Sequence, residues 1–141
     1  MDITIRIAVK DDEEEVFSLA SRLATSFKVE RTCFSKLFQD FLDDQKIDLL
    51  IAIDRKQPIG YVLAFHHPAF YANGDVTWVE ELYVDEAYRG KGIGKKLMKS
   101  VELLSEKRES KLVALATRRA GDFYKAIGYE ESAAYFKKRL K

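Results

Sequence analysis

The hydrophobic pattern predicts an α/β protein in which helices cover both faces of one mixed sheet. Three observations predict it. Apolar residues alternate strictly at the N-terminus and then switch at once to helical spacing. Three β-rich apolar segments follow one another, separated by short turns. A glycine-opened amphipathic helix and a short apolar strand come next, which is the pattern of a crossover connection. The chain has 141 residues, 47% of them hydrophobic, and shows no linker, repeat or low-complexity stretch. That is the size and composition of a single domain with its own core.

The elements follow in order. Ile3, Ile5, Ile7 and Val9 alternate with Thr4, Arg6 and Ala8, a strand with one apolar face. Asp11 or Asp12 can cap the next helix, and Glu13 to Glu15 suit its positive first turn. Val16, Leu19, Ala20 and Leu23 carry its buried stripe, and Phe34, Leu37, Phe38, Phe41 and Leu42 carry that of a second helix. Leu49–Ile53 and Ile59–His66 read as a hairpin around a turn at Arg55–Pro58. Phe70–Asp75 contains Asn73-Gly74 and reads as a loop, before a strand over Val76–Val84. Gly92 to about Lys107 is a helix striped by Ile93, Leu97, Val101 and Leu104, and Leu112–Ala116 is a short strand. Ala120–Ile127 is a short helix closed by Gly128, and Ser132–Leu140 completes the order β-α-α-β-β-β-α-β-α-β as a last strand.

Composition excludes several classes. Lys and Arg number 24 against 23 Asp and Glu, a formal net charge of +1. No general attraction to nucleic acid or to a membrane surface follows from it. Cys33 is the sole cysteine, so neither an internal disulfide nor a thiolate cluster for zinc can form. His66 and His67 are strand neighbours that face opposite ways, a poor geometry for one metal, and no metal is expected. No apolar run reaches the roughly 20 residues of a membrane span, and Met1–Lys10 alternates where a secretion signal would be continuously apolar. A cytoplasmic location is the expectation.

The informative stretch runs from Val79 to Gly94, through Glu80-Glu81-Leu82-Tyr83-Val84-Asp85 and Arg89-Gly90-Lys91-Gly92-Ile93-Gly94. A strand ends, a charged turn follows, and alternate glycines open a helix. Amides at a helix start lack internal partners, and the helix dipole favours an anion there. Glycines let a phosphate approach the backbone, and Arg89, Lys91 and Lys95 add positive charge. Two rival phosphate motifs fit less well. A P-loop needs four residues between its glycines and a Ser or Thr after the lysine. A dinucleotide fold needs G-x-G-x-x-G opening a long βαβ series; Arg118 and Arg119 keep an NADP site as a rival.

Arg89-Gly90-Lys91-Gly92-Ile93-Gly94 resembles the R/Q-x-x-G-x-G/A signature of the GNAT superfamily of N-acetyltransferases. Glu80–Asp85 resembles that family's fourth strand, and Ala120–Tyr129 its N-x-x-A-x-x-F-Y-x-x-x-G-F segment. The chain departs from the pattern at Thr117, where the family often has Asn, and at Tyr129, where it has Phe. The resemblance implies a GNAT-like fold and acetyl-CoA as donor. It implies that Arg89, Gly90, Lys91, Gly92, Ile93, Gly94 and Lys95 hold the pyrophosphate. Leu82, Tyr83 and Val84 would pair with the pantetheine arm where the fourth and fifth strands splay, with Thr117 and Phe123 as further cofactor contacts. Tyr124 would be the general acid, and Glu80, ahead of Glu81, the general base. The bland readings are that Tyr124 packs the inner side of a short helix and that both carboxylates sit at a solvated edge. Only one of Glu80 and Glu81 should reach the cleft unless a bulge intervenes. The Leu82 N–H would be an oxyanion donor.

The acceptor implied is a primary amine. The acidic pair and the aromatic loop at Phe70 and Tyr71 favour a small cationic amine such as a polyamine or an aminoglycoside-like compound; a peptide amine stays open. Phe27–Arg31 is expected to form another substrate wall. A non-catalytic acyl-CoA-binding module is the alternative function. Cys33 is expected in the core and Trp78 in packing, and Lys137-Lys138-Arg139 and Lys141 form a basic, solvated strand end. An exposed last strand could pair two copies as a homodimer.

Overall fold

The computed structural model describes residues 1–141. Its elements are β1 (Ile3–Ile7), α1 (Glu13–Leu23), α2 (Arg31–Asp43), β2 (Ile47–Asp54), β3 (Gln57–Ala69), β4 (Gly74–Val84), α3 (Ile93–Lys107), β5 (Val113–Leu115) and α4 (Gly121–Ala126). The five strands lie side by side in the order β1-β2-β3-β4-β5. The first three pairings are antiparallel and β4–β5 is parallel, as a helical crossover requires.

Period-2 alternation divides the core into two layers. Odd residues of β2 and β3, among them Ile51, Tyr61 and Leu63, pack with Val16 and Leu19 of α1 and Phe38 of α2. Even residues, among them Leu50, Ala52, Val62 and Ala64, pack with Ile93, Leu97, Met98 and Val101 of α3. Helices therefore cover both faces, as the sequence predicts. The β2–β3 hairpin turns at Arg55, which takes φ 60°, and Asp54 pairs with Gln57. Asn73 at φ 57° lets the chain re-enter β4.

Four expectations are corrected. Ser132–Leu140 forms no strand; residues 127–141 carry no regular element, and Tyr135, Phe136 and Leu140 are exposed. Arg139 instead ties the tail to Ser26 and Phe27. The strand through which two copies would pair is thus missing. Asp12 does not cap α1. Its carboxylate turns back to accept from the Val9 N–H at 2.7 Å and pairs with Arg6 at 2.8 Å. Ile3 and Ile5 join the α3 layer, but Ile7 and Val9 stay exposed because β1 is an edge strand that ends at Ile7. Cys33 is exposed, because the buried stripe of α2 runs through Phe34 and Phe38.

Candidate active site

The site forms where β4 and β5 part. Their pairing covers only Thr77–Val113, Trp78–Ala114 and Val79–Leu115. β4 continues to Val84 while β5 stops at Leu115, so one edge of β4 is left without a neighbour. The Asp85 N–H donates to the Ile59 carbonyl on β3 at 2.8 Å. Antiparallel strands alternate, so Leu82 and Val84 turn their polar backbone groups the other way, into the gap. The Val84 carbonyl accepts from Arg89 Nε at 2.9 Å, and that guanidinium lies 5.3 Å from the centre of the Tyr83 ring.

The glycine turn continues from this edge. Asp85 accepts from the Ala87 N–H at 3.0 Å and starts a single tight turn over Glu86–Tyr88. Tyr88 donates to Asp54 at 2.8 Å and anchors that turn, with Lys91 Nζ 5.7 Å from its ring. Gly90 and Gly92 take φ 76° and 81°, a region that disfavours other residues. A Cβ on either would meet no atom, so conformation is the reason for glycine there and space is not. The first helical amide bond runs from Lys96 N–H to the Gly92 carbonyl at 3.1 Å. The N–H groups of Gly90, Lys91, Gly92, Ile93, Gly94 and Lys95 therefore have no acceptor within the protein. Phe123 of α4 closes the far side, 3.2 Å from the position a Cβ on Gly94 would occupy.

The acidic pair sits on a bulge. Leu63 pairs with Glu81 and Ala64 with Val79, so Glu80 is the extra residue of β4. The irregularity resets the alternation, and both carboxylates come to the α1–α2 face. Glu80 accepts from the Trp78 indole N–H at 2.7 Å, which makes Trp78 a partner of the site as well as packing. Glu81 Oε1 accepts from the Tyr61 hydroxyl at 2.6 Å, while Oε2 makes no hydrogen bond within the protein. Burial pushes the Glu81 carboxyl up from its ordinary value, as does the Glu80 charge; the Tyr61 bond opposes them and does not prevail.

Tyr124 is half-buried, its ring edge-to-face with Phe123 at 4.9 Å and with Tyr129 at 5.9 Å. Its hydroxyl bonds no protein group and reaches solvent. Burial raises its pKa, so the hydroxyl keeps its proton at neutral pH. Tyr129 donates to Glu102 at 2.8 Å and fixes the end of α4 on α3. Thr117 accepts from the Ala120 N–H at 3.1 Å, a local bond that sets the turn into α4. Arg118 and Arg119 are exposed.

Sequence reasoning misses Tyr61 and Arg22. Tyr61 reads as core, which it is, and no local signal marks its bond to Glu81. Arg22 pairs with Asp85 at 3.0 Å and lies 5.8 Å from the Tyr83 ring, tying the end of α1 to the end of β4. Of the expected wall, Phe27 is exposed, whereas Arg31 turns away to pair with Glu13 at 2.9 Å. Phe70 and Tyr71 are exposed at the β3–β4 turn. A second cluster resembles a relay: Asp48 to His66 at 2.6 Å, His66 to Thr77 at 3.0 Å, Thr77 to Ser105 at 2.8 Å. Thr77 is wholly buried and cannot meet a substrate, so this cluster is a polar staple between the sheet and α3.

Residues 45–131 match the family model of the acetyltransferase (GNAT) domain. The chain belongs to this family. It is an acetyltransferase of the GNAT fold, and GNAT acetyltransferases generally use acetyl-CoA. Solved structures agree on the fold. Glucosamine-6-phosphate N-acetyltransferase from Arabidopsis thaliana superposes with a TM-score of 0.89 at 18% identity, over 100% of both chains. A ribosomal-protein-alanine N-acetyltransferase from Brucella melitensis biovar Abortus 2308 gives 0.82 at 21%, over 99% of this chain and 100% of that one. An aminoglycoside acetyltransferase from an uncultured soil metagenomic sample gives 0.81 at 20%, over 99% and 97%. No helix of this GNAT chain is long and apolar enough to cross a membrane.

Proposed function

We propose that this GNAT chain transfers the acetyl group of acetyl-CoA directly to a primary amine in a ternary complex. One observation carries the reading: six consecutive free amides lie beside a β4 edge that has no neighbouring strand beyond Val79. A pyrophosphate fits the first, with Arg89, Lys91 and Lys95 around it. An extended chain with amides, such as a pantetheine arm, fits the second by adding as a strand. The residues present therefore suit acetyl-CoA, which supplies the activated acetyl group when bound.

The acidic pair supports an acceptor whose amine arrives as a cation. Glu80 attracts it. Glu81, with its raised pKa and free Oε2, suits the proton acceptor better than Glu80, because a base working near neutral pH needs a pKa shifted toward it. Glu81 takes the ammonium proton, and the freed amine forms the new N–C bond as the C–S bond breaks. The Leu82 N–H faces the gap and bonds the carbonyl oxygen as charge grows there. Tyr124 gives its proton to the departing sulfur.

The test follows thiol release from acetyl-CoA on addition of spermidine, an aminoglycoside, an amino sugar and a short peptide. Amine-dependent release from at least one supports the reading. Acetyl-CoA binding with only slow, amine-independent hydrolysis would favour a binding module.

A further inference from the structure

The Glu81 side chain has one hydrogen-bond partner in the protein, and that partner comes from the core. Tyr61 lies in the middle of β3, 1% exposed, in the apolar layer with Leu19, Ile51 and Leu63. A hydroxyl buried in such a layer is costly unless it is bonded. This one has a single acceptor, Glu81 Oε1 at 2.6 Å. The strand register makes the bond possible. Tyr61 pairs with Tyr83 and Leu63 with Glu81, so Tyr61 and Glu81 are diagonal neighbours on one face, a separation that a tyrosine spans.

The other groups around the Glu81 carboxylate do not stabilise its charge. Glu80, beside it on β4, disfavours the ionised form. Tyr83 belongs to the same buried layer. α1 is the helix packed on β4, and Arg22 is its titratable side chain at this end of the strand; that guanidinium pairs with Asp85 at 3.0 Å. Tyr61 is therefore the group that favours the carboxylate. Burial and the Glu81 charge push the Tyr61 hydroxyl far above the ordinary tyrosine range, so it stays protonated and keeps donating. A carboxylate held through Oε1 has a fixed orientation and offers Oε2, which has no protein partner. We propose that Tyr61 is a positioning residue for acetyl transfer: it fixes Glu81 with Oε2 toward the incoming ammonium and holds it ionised to receive the proton. The proton passes from the ammonium to Oε2, the N–H electron pair stays on nitrogen, and Tyr61 keeps its own proton throughout. Tyr61 is buried and acts only through Glu81. This inference rests on the acetyl-transfer reading with Glu81 as its base.

Tyr61→Phe keeps the ring and deletes the donor, and two readouts test it. The first needs no turnover. Protein labelled with ¹³C at the glutamate carboxyls is titrated with acid, the Glu81 resonance being identified by its loss in E81Q. The midpoint of that resonance should move to higher pH in Y61F. The second is the pH profile of kcat/KM with whichever of the amines named above is turned over fastest. Its acidic limb should move the same way, so that kcat/KM read on the limb falls about 10-fold, the equivalent of one hydrogen bond to a charged group. A packing role alone would lower the rate at every pH alike and leave the limb in place. Where Y61F does not fold by itself, E81Q/Y61F removes the hydroxyl and the buried charge together. Its kcat/KM should match that of E81Q within about two-fold. A midpoint that does not move, a limb that stays in place, or a further loss of about 10-fold in E81Q/Y61F overturns the positioning role and leaves acetyl transfer intact. Turnover of none of the amines by the wild type overturns the acetyl-transfer reading, and the positioning role with it.

Discussion

Glu80 and Glu81 are neighbours with the same side chain and different surroundings. The bulge brings both to one face, and burial with a tyrosine partner separates their environments. A pH profile distinguishes them. The base must be ionised to work, so kcat/KM should rise with pH along an acidic limb. Burial and the Glu80 charge raise the Glu81 pKa, which places that limb above the ordinary glutamate range. Glu80→Gln removes the neighbouring charge and should move the limb to lower pH, whereas Glu81→Gln should abolish it. If Glu80→Gln abolishes the limb and Glu81→Gln retains it, the assignment is reversed. For Tyr124, replacement by Phe keeps the ring contacts with Phe123 and Tyr129 and deletes only the hydroxyl. Loss of a general acid should lower kcat about 100-fold or more with KM little changed. An unchanged kcat would return Tyr124 to a packing role. Glu80, Glu81 and Tyr124 stand out in the sequence because their motif does. Tyr61 does not, because its bond to Glu81 joins strands 20 residues apart.

Among the elements, β3, β4 and α3 do the positioning. Alternation in the sequence predicts which strand residues face which helix layer, and the helices follow their apolar stripes except at Leu37, which is exposed. What it does not show is where pairing stops. The end of the β4–β5 ladder at Val79–Leu115 and the bulge at Glu80 depend on register between distant segments. The last strand fails for a related reason. Ser132–Leu140 has strand-like composition, but it joins neither open edge of the sheet, and Arg139 lies against Phe27 instead. Below α3, the Asp48–His66–Thr77–Ser105 staple holds β2, β3 and β4 to the helix, with Arg108 on Asp48 at 3.1 Å. Burial acts to raise the Asp48 pKa, but the bonds from His66 and Arg108 outweigh it and hold the carboxyl below its ordinary value. A depressed folded-state pKa contributes stability above the unfolded-state value, and that stability is lost as pH falls through the folded value. Asp48→Asn should therefore cost about 1–3 kcal/mol near neutral pH, and the cost should shrink on acidification below the usual aspartate range. Thermal unfolding against pH reads it; a cost that does not change with pH would contradict the staple's ionic character.

At the scale of the whole molecule, the sheet presents a free strand edge and a row of free amides along one continuous gap. Glycine at positions 90 and 92 is what allows the turn between them. The order of elements as far as α4 and the glycine signature were legible in the sequence, since both are local patterns. The seat of the tail was not, because it joins Arg139 to Ser26 and Phe27 across more than a hundred residues. Adding a Cβ at Gly92 meets no atom but forces φ 81° on a residue that resists it, at about 1–2 kcal/mol. The most direct measurement is calorimetric titration of the wild-type chain and Gly92→Ala with acetyl-CoA, with CoA and NADPH as comparators. The wild type should bind acetyl-CoA and CoA and ignore NADPH, and Gly92→Ala should bind acetyl-CoA about 10-fold more weakly. No heat with acetyl-CoA, or binding of NADPH in its place, would contradict the assignment of the glycine turn and the chemistry built on it.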